Sequence, residues 1–361
     1  MEEKGKKGRM DYTLLLIVVL LVVIGLVILY STSAYNGQVK FHDSFYYLKK
    51  QAFATVLGIV LMLFVAGMDY HIWQRLAVFG YLAAVALSVA VMLFGREING
   101  SKRWLALGPF SFQPSEFAKV ALILFLADLV TKNVKTIGKM WTLCRIMFWI
   151  LPIVGLVGAS NLSTAIIILG IGVILIFVAS PKYAQFALMG LAGACFMGLF
   201  LALDSYRLER LAIWRNPEKY EKGYQTLQGL YAIGSGGVFG VGLGNSVQKL
   251  GFVPEAQNDM IFSIICEELG LAGAGIIVFL FLLLIWRFFM IASGSRDLFG
   301  ALIATGAMAH MMIQVILNIA VVTNTIPNTG ITLPFISYGG TSVMFLLIEM
   351  GLVLSVSQVV D

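Results

Sequence analysis

The chain has 361 residues, 59% of them hydrophobic and only 12% charged, with a net charge of +6. A soluble domain carries about 25% charged residues, so the composition excludes a soluble enzyme and indicates an integral membrane protein with both lipid-facing and core-facing apolar surface. The positive charge is no nucleic-acid signature, because the basic residues sit between apolar runs.

Runs of about 17–25 apolar residues mark spanning helices. They fall near 12–34, 47–67, 74–94, 115–131, 143–159, 163–180, 184–203, 260–289, 298–322 and 342–358. The expected fold is therefore an all-α bundle of about ten transmembrane helices. The run after the basic start is too long for a signal-peptide core and lacks a small-residue cleavage site, so it reads as the first span. Residues 1–11 become a cytoplasmic tail, and 12–361 one polytopic membrane domain. Lys4, Lys6, Lys7, Arg9, Arg75, Lys132, Lys135, Lys139, Arg145, Lys182, Arg287 and Arg296 then share one side. The positive-inside rule makes that side cytoplasmic and puts both termini there.

Some cations fall on the other side. Arg96, Lys102 and Arg103 lie between spans 3 and 4; Arg207, Arg210, Arg215, Lys219, Lys222 and Lys249 lie between spans 7 and 8. They read either as solvated partners of Glu209, Glu218, Glu221 and Glu255 or as a basic surface for an anionic substrate. The segment 204–260 is the large extracytoplasmic loop. Its first part is amphipathic, with Trp214, Tyr220 and Tyr224 suited to the interface. Its glycines, Gly234 to Gly244, do not match a phosphate-binding P-loop and instead permit tight turns and close backbone approach. The uncharged stretch "TNTIPNTGITLPFISYGGTS" is expected to be re-entrant or folded against the bundle.

Three constellations carry candidate chemistry. Asp259, just before span 8, reads either as a helix N-terminal acid, with Gln257 or Asn258 as the cap, or as a partly desolvated general base. Glu267 and Glu268 lie inside span 8, turned about 80° and 180° from Asp259, and read as structural ion-pair partners. In "NGSKRWLALGPFSFQPSEFAK", Pro114 opens span 4, and Glu116 can pair with Lys119 at i+3. That pair is either an interfacial salt bridge or a cation poised with Lys102 and Arg103 for a phosphate. His310, Gln314 and Asn318 recur every four residues on one helix face and read as bundle hydrogen bonding. Asp69, Asp128 and Glu349 join them as scattered polar residues within spans. Cys144, Cys195 and Cys266 are far apart, odd in number, and read as packing residues.

Three segments in this order, "NGSKRWLALGPFSFQPSEFAK", "YQTLQGLYAIGSGGVFGVGLGNSVQKLGFVPEAQNDMIFSIICEELG" and "LPFISYGGTS", resemble the SEDS family (shape, elongation, division and sporulation) of bacterial membrane proteins. "REINGSKRWL" and "QNDMIF" are closer to its FtsW and SpoVE branches than to RodA. The resemblance implies a peptidoglycan glycosyltransferase that polymerises lipid II at the outer face of the cytoplasmic membrane, in division or in sporulation septum and cortex synthesis. It places the catalytic aspartate on Asp259 and further functional positions on Arg103, Gln113, Glu116 and Lys119. Where many relatives read "QPDLGT" this chain reads "ASNLST", so Asn161 takes no proton-transfer role. The mechanism implied has Asp259 deprotonating the acceptor hydroxyl and inverting the donor carbon. Arg103, Lys119, Lys102, Arg210 and Lys249 offset the charge of the departing diphosphate, with or without a divalent cation (magnesium or manganese). A class B penicillin-binding protein, other division or elongation membrane proteins and membrane lipids are the implied partners. A lipid II flippase and a non-catalytic scaffold for a penicillin-binding protein are the competing functions.

Overall fold

The structure, a computed structural model, describes residues 9–98, 101–107, 110–187, 190 and 212–359. Its long helices are α1 (Tyr12–Phe41), α2 (Tyr46–Gly67), α3 (His71–Phe94), α4 (Pro114–Asn133), α5 (Met140–Ser160) and α6 (Leu162–Ala179). After a short α7 (Tyr224–Ser235) come α8 (Ile261–Ser293), α9 (Leu298–Val322) and α10 (Gly340–Ser357). Eight of these helices are long and apolar enough to cross a membrane. The ninth long helix, α4, carries Glu116, Lys119, Asp128 and Lys132. Most of the expected seventh span, 184–203 with Cys195, lies outside the described residues.

The helices begin and end where local chemistry dictates. Asp11 caps α1 by accepting from the Leu14 amide at 2.9 Å, and His42 ends it in the left-handed region at φ 55°. α1 is apolar all round, with Leu14, Ile17, Val18 and Leu21 buried and Leu16, Val19, Leu20 and Val23 exposed. That is the pattern of a helix with bundle on one side and lipid on the other. At about 1.5 Å per residue its 30 residues exceed a hydrocarbon core of about 30 Å by roughly 15 Å. It therefore runs well past the 12–34 expected from hydropathy.

One end of the bundle is stapled by Asp11. Its carboxylate accepts from Arg287 near the end of α8, and its amide donates to Ser357 Oγ at the end of α10 at 3.1 Å. Small residues let other helices meet closely. A Cβ at Gly351 of α10 would lie 2.6 Å from the Met62 carbonyl of α2.

At the other end the chain departs from an all-helical loop. The connection between α3 and α4 forms a three-stranded antiparallel sheet, β1 (Arg96–Ile98), β2 (Ser101–Leu107) and β3 (Phe110–Phe112), in the order β1-β2-β3. It pairs Glu97 with Lys102 and Ala106 with Ser111. β2 presents Lys102 and Arg103 at this end.

The uncharged segment between α9 and α10 does fold into the bundle. A Cβ at Gly25 would lie 2.4 Å from the Phe335 carbonyl, and Gly25 sits about 20 Å along α1 from its start. Backbone at such depth must find internal partners. Thr332 O accepts from Gln314 at 3.0 Å, Ile331 O from Asn318 at 2.7 Å and Ser337 O from Gln51 at 3.3 Å. The Leu333 amide donates to Ser337 Oγ at 2.8 Å, and the Gly339 amide to Gln51 Oε1 at 3.1 Å.

Candidate functional site

Asp259 ends the loop that leads into α8. Neither Gln257 nor Asn258 caps this helix. The cap position is Met260, with no side-chain hydrogen bond, because the two amide side chains are used elsewhere. Gln257 Oε1 accepts from Asn36 at 3.2 Å, and Asn258 Nδ2 donates to Glu255 Oε2 at 2.7 Å. The Asp259 side chain is partly enclosed. Oδ1 accepts from Gln225 Nε2 of α7 at 3.4 Å. Oδ2 lies beside Gly330, where an added Cβ would come within 3.8 Å. The Asp259 carbonyl accepts from Asn318 at 2.9 Å. Burial pushes the Asp259 carboxyl up to about 6; nearby Glu255 adds to that, while the amides of Asp259 and Met260 pull it down. A carboxylate tuned toward neutrality is suited to general-base work.

Behind Asp259 runs a buried polar stripe on α9. Asn318 bonds the Asp259 carbonyl. One turn on, Gln314 accepts at Oε1 from Lys119 Nζ at 3.2 Å. Another turn on, His310 bridges Gln314 and Glu349, each at 2.8 Å. Lys119 completes the chain through an ion pair with Glu116 at 3.0 Å. The expected Glu116–Lys119 pairing is present, but it is not an interfacial bridge: Lys119 is only 2% exposed. A buried charge requires a partner, and here the partners come from α4 and α9 together. Gln113 precedes this pair as the α4 cap residue, with no side-chain capping bond.

The other expected cations go elsewhere. Lys102 is exposed on β2. Arg103 Nε donates to the Ser160 carbonyl at 3.1 Å and lines a pocket with Pro114, Ser115 and Asn161, over the start of α4 and the α5–α6 junction. Asn161 caps α6 through the Thr164 amide at 3.3 Å. Arg210 lies outside the described residues. Lys249 is not an outward-facing cation: it is buried and paired with Glu268 at 2.6 Å.

That pair belongs to a clamp. Glu268 also accepts from Ser31 Oγ of α1 at 2.7 and 2.8 Å. Glu267, expected to pair with a cation, instead accepts from Ser246 Oγ and from the Val247 amide at 3.0 Å. Two residues beyond Glu268, α8 is interrupted at Gly270 (φ 66°, ψ −170°). The glycine-rich segment docks onto that interruption. The amides of Val241 and Gly242 donate to the Glu267 and Glu268 carbonyls at 2.9 and 3.0 Å. The amides of Leu271 and Ala272 donate back to Gly237 and Val238 at 2.9 and 3.0 Å. A Cβ at Gly240 would lie 2.2 Å from the Glu268 carbonyl, so close approach is the reason for glycine there. Cys266 is buried as expected; Cys144 is exposed near the start of α5 and is not a core packing residue.

Residues 12–361 match the family model FtsW/RodA/SpoVE, described as cell cycle protein. The chain belongs to the FtsW/RodA/SpoVE family. Among its relatives, stage V sporulation protein E of Bacillus subtilis (strain 168) is 40% identical, covering 98% of each chain. A probable peptidoglycan glycosyltransferase FtsW of Trichlorobacter lovleyi is 35% identical over 96% of this chain and 93% of its own. Solved structures superpose on it, among them the following two. One is a chain from a structure described as the structural coordination of polymerization and crosslinking by a peptidoglycan synthase complex. Its TM-score is 0.83 at 30% identity, over 96% of this chain and 97% of that one. The other is the crystal structure of Thermus thermophilus rod shape determining protein RodA, with a TM-score of 0.71 at 28% identity and 96% coverage of both chains. The FtsW/RodA/SpoVE fold is thus a multi-pass helical membrane bundle, as the hydropathy pattern predicts.

Sequence reasoning singled out Asp259, Glu116 and Lys119 but missed Gln225 and Asn328, which are linked at 3.1 Å. They stand 103 residues apart, and nothing local to either marks a partner.

Proposed function

We propose that the chain is a peptidoglycan glycosyltransferase that polymerises lipid II into β-1,4 glycan strands. The observation that carries this reading is Asp259: a partly enclosed carboxylate, raised to about 6, whose carbonyl is held by Asn318 of the buried α9 stripe, at the bundle end opposite the Asp11 staple. In this reading that end faces outward, residues 12–361 form one membrane unit, and both termini are cytoplasmic. Relatives named as probable peptidoglycan glycosyltransferases support it.

Asp259 takes the proton from the acceptor sugar's hydroxyl as the oxygen attacks the donor's first carbon. The bond to the diphosphate breaks on the opposite face, inverting that carbon and releasing undecaprenyl diphosphate. The leaving group is already anionic, so it requires electrostatic stabilisation rather than a proton. Arg103 and Lys102, on β2 at the same end of the bundle, are the cations assigned to it in this reading. Arg210, expected in the same set from the sequence, lies outside the described residues. Lys119 acts from inside, keeping the network behind Asp259 fixed, and Lys249 acts through Glu268 on the loop. Among the described residues no group of three acidic, histidine or cysteine side chains is arranged to hold a metal. A magnesium or manganese ion would therefore be held by one carboxylate, Glu255 or Asp259, together with substrate oxygens. Such an ion would offset diphosphate charge. The partner we expect is a class B penicillin-binding protein; the similar chain comes from a structure described as a peptidoglycan synthase complex that coordinates polymerization and crosslinking.

The buried charges favour a flippase if any observation does. Glu116, Lys119, His310 and Glu349 are, however, engaged with one another through Gln314. The purified protein with lipid II in detergent, alone and with a class B penicillin-binding protein, tests the proposal. Glycan strands from wild type and none from Asp259→Ala are expected. Full polymerisation by that variant would overturn the assignment.

A further inference from the structure

We propose that Gln225 and Asn328 are positioning residues that hold Asp259 by Oδ1 and leave Oδ2 as the atom that accepts the proton. The inference rests on the glycosyltransferase reading and extends it to residues that the reading does not use.

The orientation of both amides is fixed by backbone groups that cannot change role. The Gly330 amide can only donate, and it donates to Asn328 Oδ1 at 3.2 Å. Asn328 Nδ2 is therefore left to donate to Gln225 Oε1 at 3.1 Å. The Pro254 carbonyl can only accept, and it accepts from Gln225 Nε2 at 3.2 Å. The same Nε2 faces Asp259 Oδ1 at 3.4 Å. Gln225 can thus offer Asp259 only a donor, which favours the ionised form that a base needs.

Oδ2 has a different neighbour. It lies beside Gly330, at φ +67°, where a side chain would otherwise stand. In this proposal the acceptor hydroxyl approaches Oδ2 beside Gly330, on an oxygen that Gln225 does not occupy. Charge around the carboxylate comes from Glu255 on the same loop, itself 3.9 Å from Lys40 of α1. The other elements that bond to Asp259 or to Gln225 present amides: Gln225 on α7, Asn318 on α9 and Asn328 on the α9–α10 segment.

A second tie sets the height of α7. Trp214 Nε1 donates to the Asn324 carbonyl at 2.9 Å, and Asn324 Nδ2 donates back to the Trp214 carbonyl at 3.3 Å. The segment entering α7 is thereby pegged to the α9–α10 segment at two points ten residues or so apart. Gln225 reaches Asp259 only while both hold.

The test uses full-length purified protein and lipid II, with rates followed across pH. Gln225→Ala and Asn328→Ala are each expected to lower kcat on the order of 100-fold with KM within about twofold. The acid limb of the rate profile should move upward by about one unit as the donor to the ionised carboxylate is lost. Gln225→Glu keeps the size of the side chain and puts a second carboxylate there. Its limb should move further up, with activity partly restored at alkaline pH. A limb that stays in place, or a loss confined to KM, overturns the proposal. Should the alanine variants not fold, Gln225→Glu and Asn328→Asp decide by the same criterion. A readout independent of turnover separates this inference from the reading beneath it. The difference in Tm between wild type and D259N is followed against pH, with and without Q225A; its midpoint tracks the Asp259 carboxyl. No polymer from wild type under any condition sinks the glycosyltransferase reading. An unmoved midpoint sinks the positioning role, whether or not polymer forms.

Discussion

Asn318 donates both to the Asp259 carbonyl at 2.9 Å and to the Ile331 carbonyl at 2.7 Å. A single buried amide thus joins the start of α8 to the re-entrant segment. Asn318→Leu would strip both carbonyls of their donor at a buried position, costing about 1–3 kcal/mol for each group left unsatisfied. We expect a lower Tm in detergent and a loss of polymerisation larger than the fraction unfolded explains. A variant with wild-type turnover would show that this junction does not set the position of Asp259.

The Asp259 carboxyl gives a pH dependence with a definite sign. As a base it must be ionised, so the polymerisation rate should fall as pH drops through about 6. Rate profiles of the purified protein read this directly.

The same carboxyl predicts a stability effect. Its folded value lies above the ordinary aspartate value of 3.8, so its ionised form costs stability. The cost is fully present above about 6 and absent below the unfolded value. Asp259→Asn should therefore raise Tm at neutral pH, with the gain shrinking as pH falls through 6 and vanishing near 4. Inactivity combined with a higher Tm separates a catalytic loss from an unfolding one.

Glu268 and Lys249 should behave as a buried pair. Removing either partner leaves an uncompensated charge, at about 3–5 kcal/mol. Lys249→Met alone should destabilise strongly, whereas Lys249→Met with Glu268→Leu should recover much of the loss. Thermal unfolding of the three variants checks this. A single variant as stable as wild type would mean that the charge finds water.

Glycine positions separate backbone contact from mere composition. Gly240→Ala would drive a methyl to within 2.2 Å of the Glu268 carbonyl at φ +78°, and Gly270→Ala to within 2.4 Å of Gly240 N. Both should fail to yield folded protein. Gly234 sits in α7 with nothing within 4 Å of an added Cβ. Gly234→Ala should be neutral or stabilise by about 0.5–1 kcal/mol. Expression and monodispersity of the three proteins are the measurement.

Hydropathy carried the spans well because a lipid-facing helix must be apolar over its whole length, as α1 is. It underestimated α1 and α8 because their extra turns lie among loop residues where polar side chains are tolerated. It missed β1–β3, which are short and carry no clear alternation. Of the site, Asp259, Glu116 and Lys119 were legible: the first through its motif, the others through i,i+3 spacing. The stripe on α9 was legible as a face but not as the link between them, since Gln314 and Lys119 are 195 residues apart. Lys249 looked like a surface cation because its partner, Glu268, lay in a different kind of segment, a span.

The interruption at Gly270 has a mechanical consequence. A helix break with unmet amides and carbonyls would be a place to flex. Here the four bonds from Val241, Gly242, Leu271 and Ala272 cross it, so the break is welded rather than hinged. These four amides should exchange with solvent deuterium as slowly as those of an intact helix. The two halves of α8 then move as one rigid lever with the loop attached. Whatever motion admits a substrate to Asp259 must be found outside this junction.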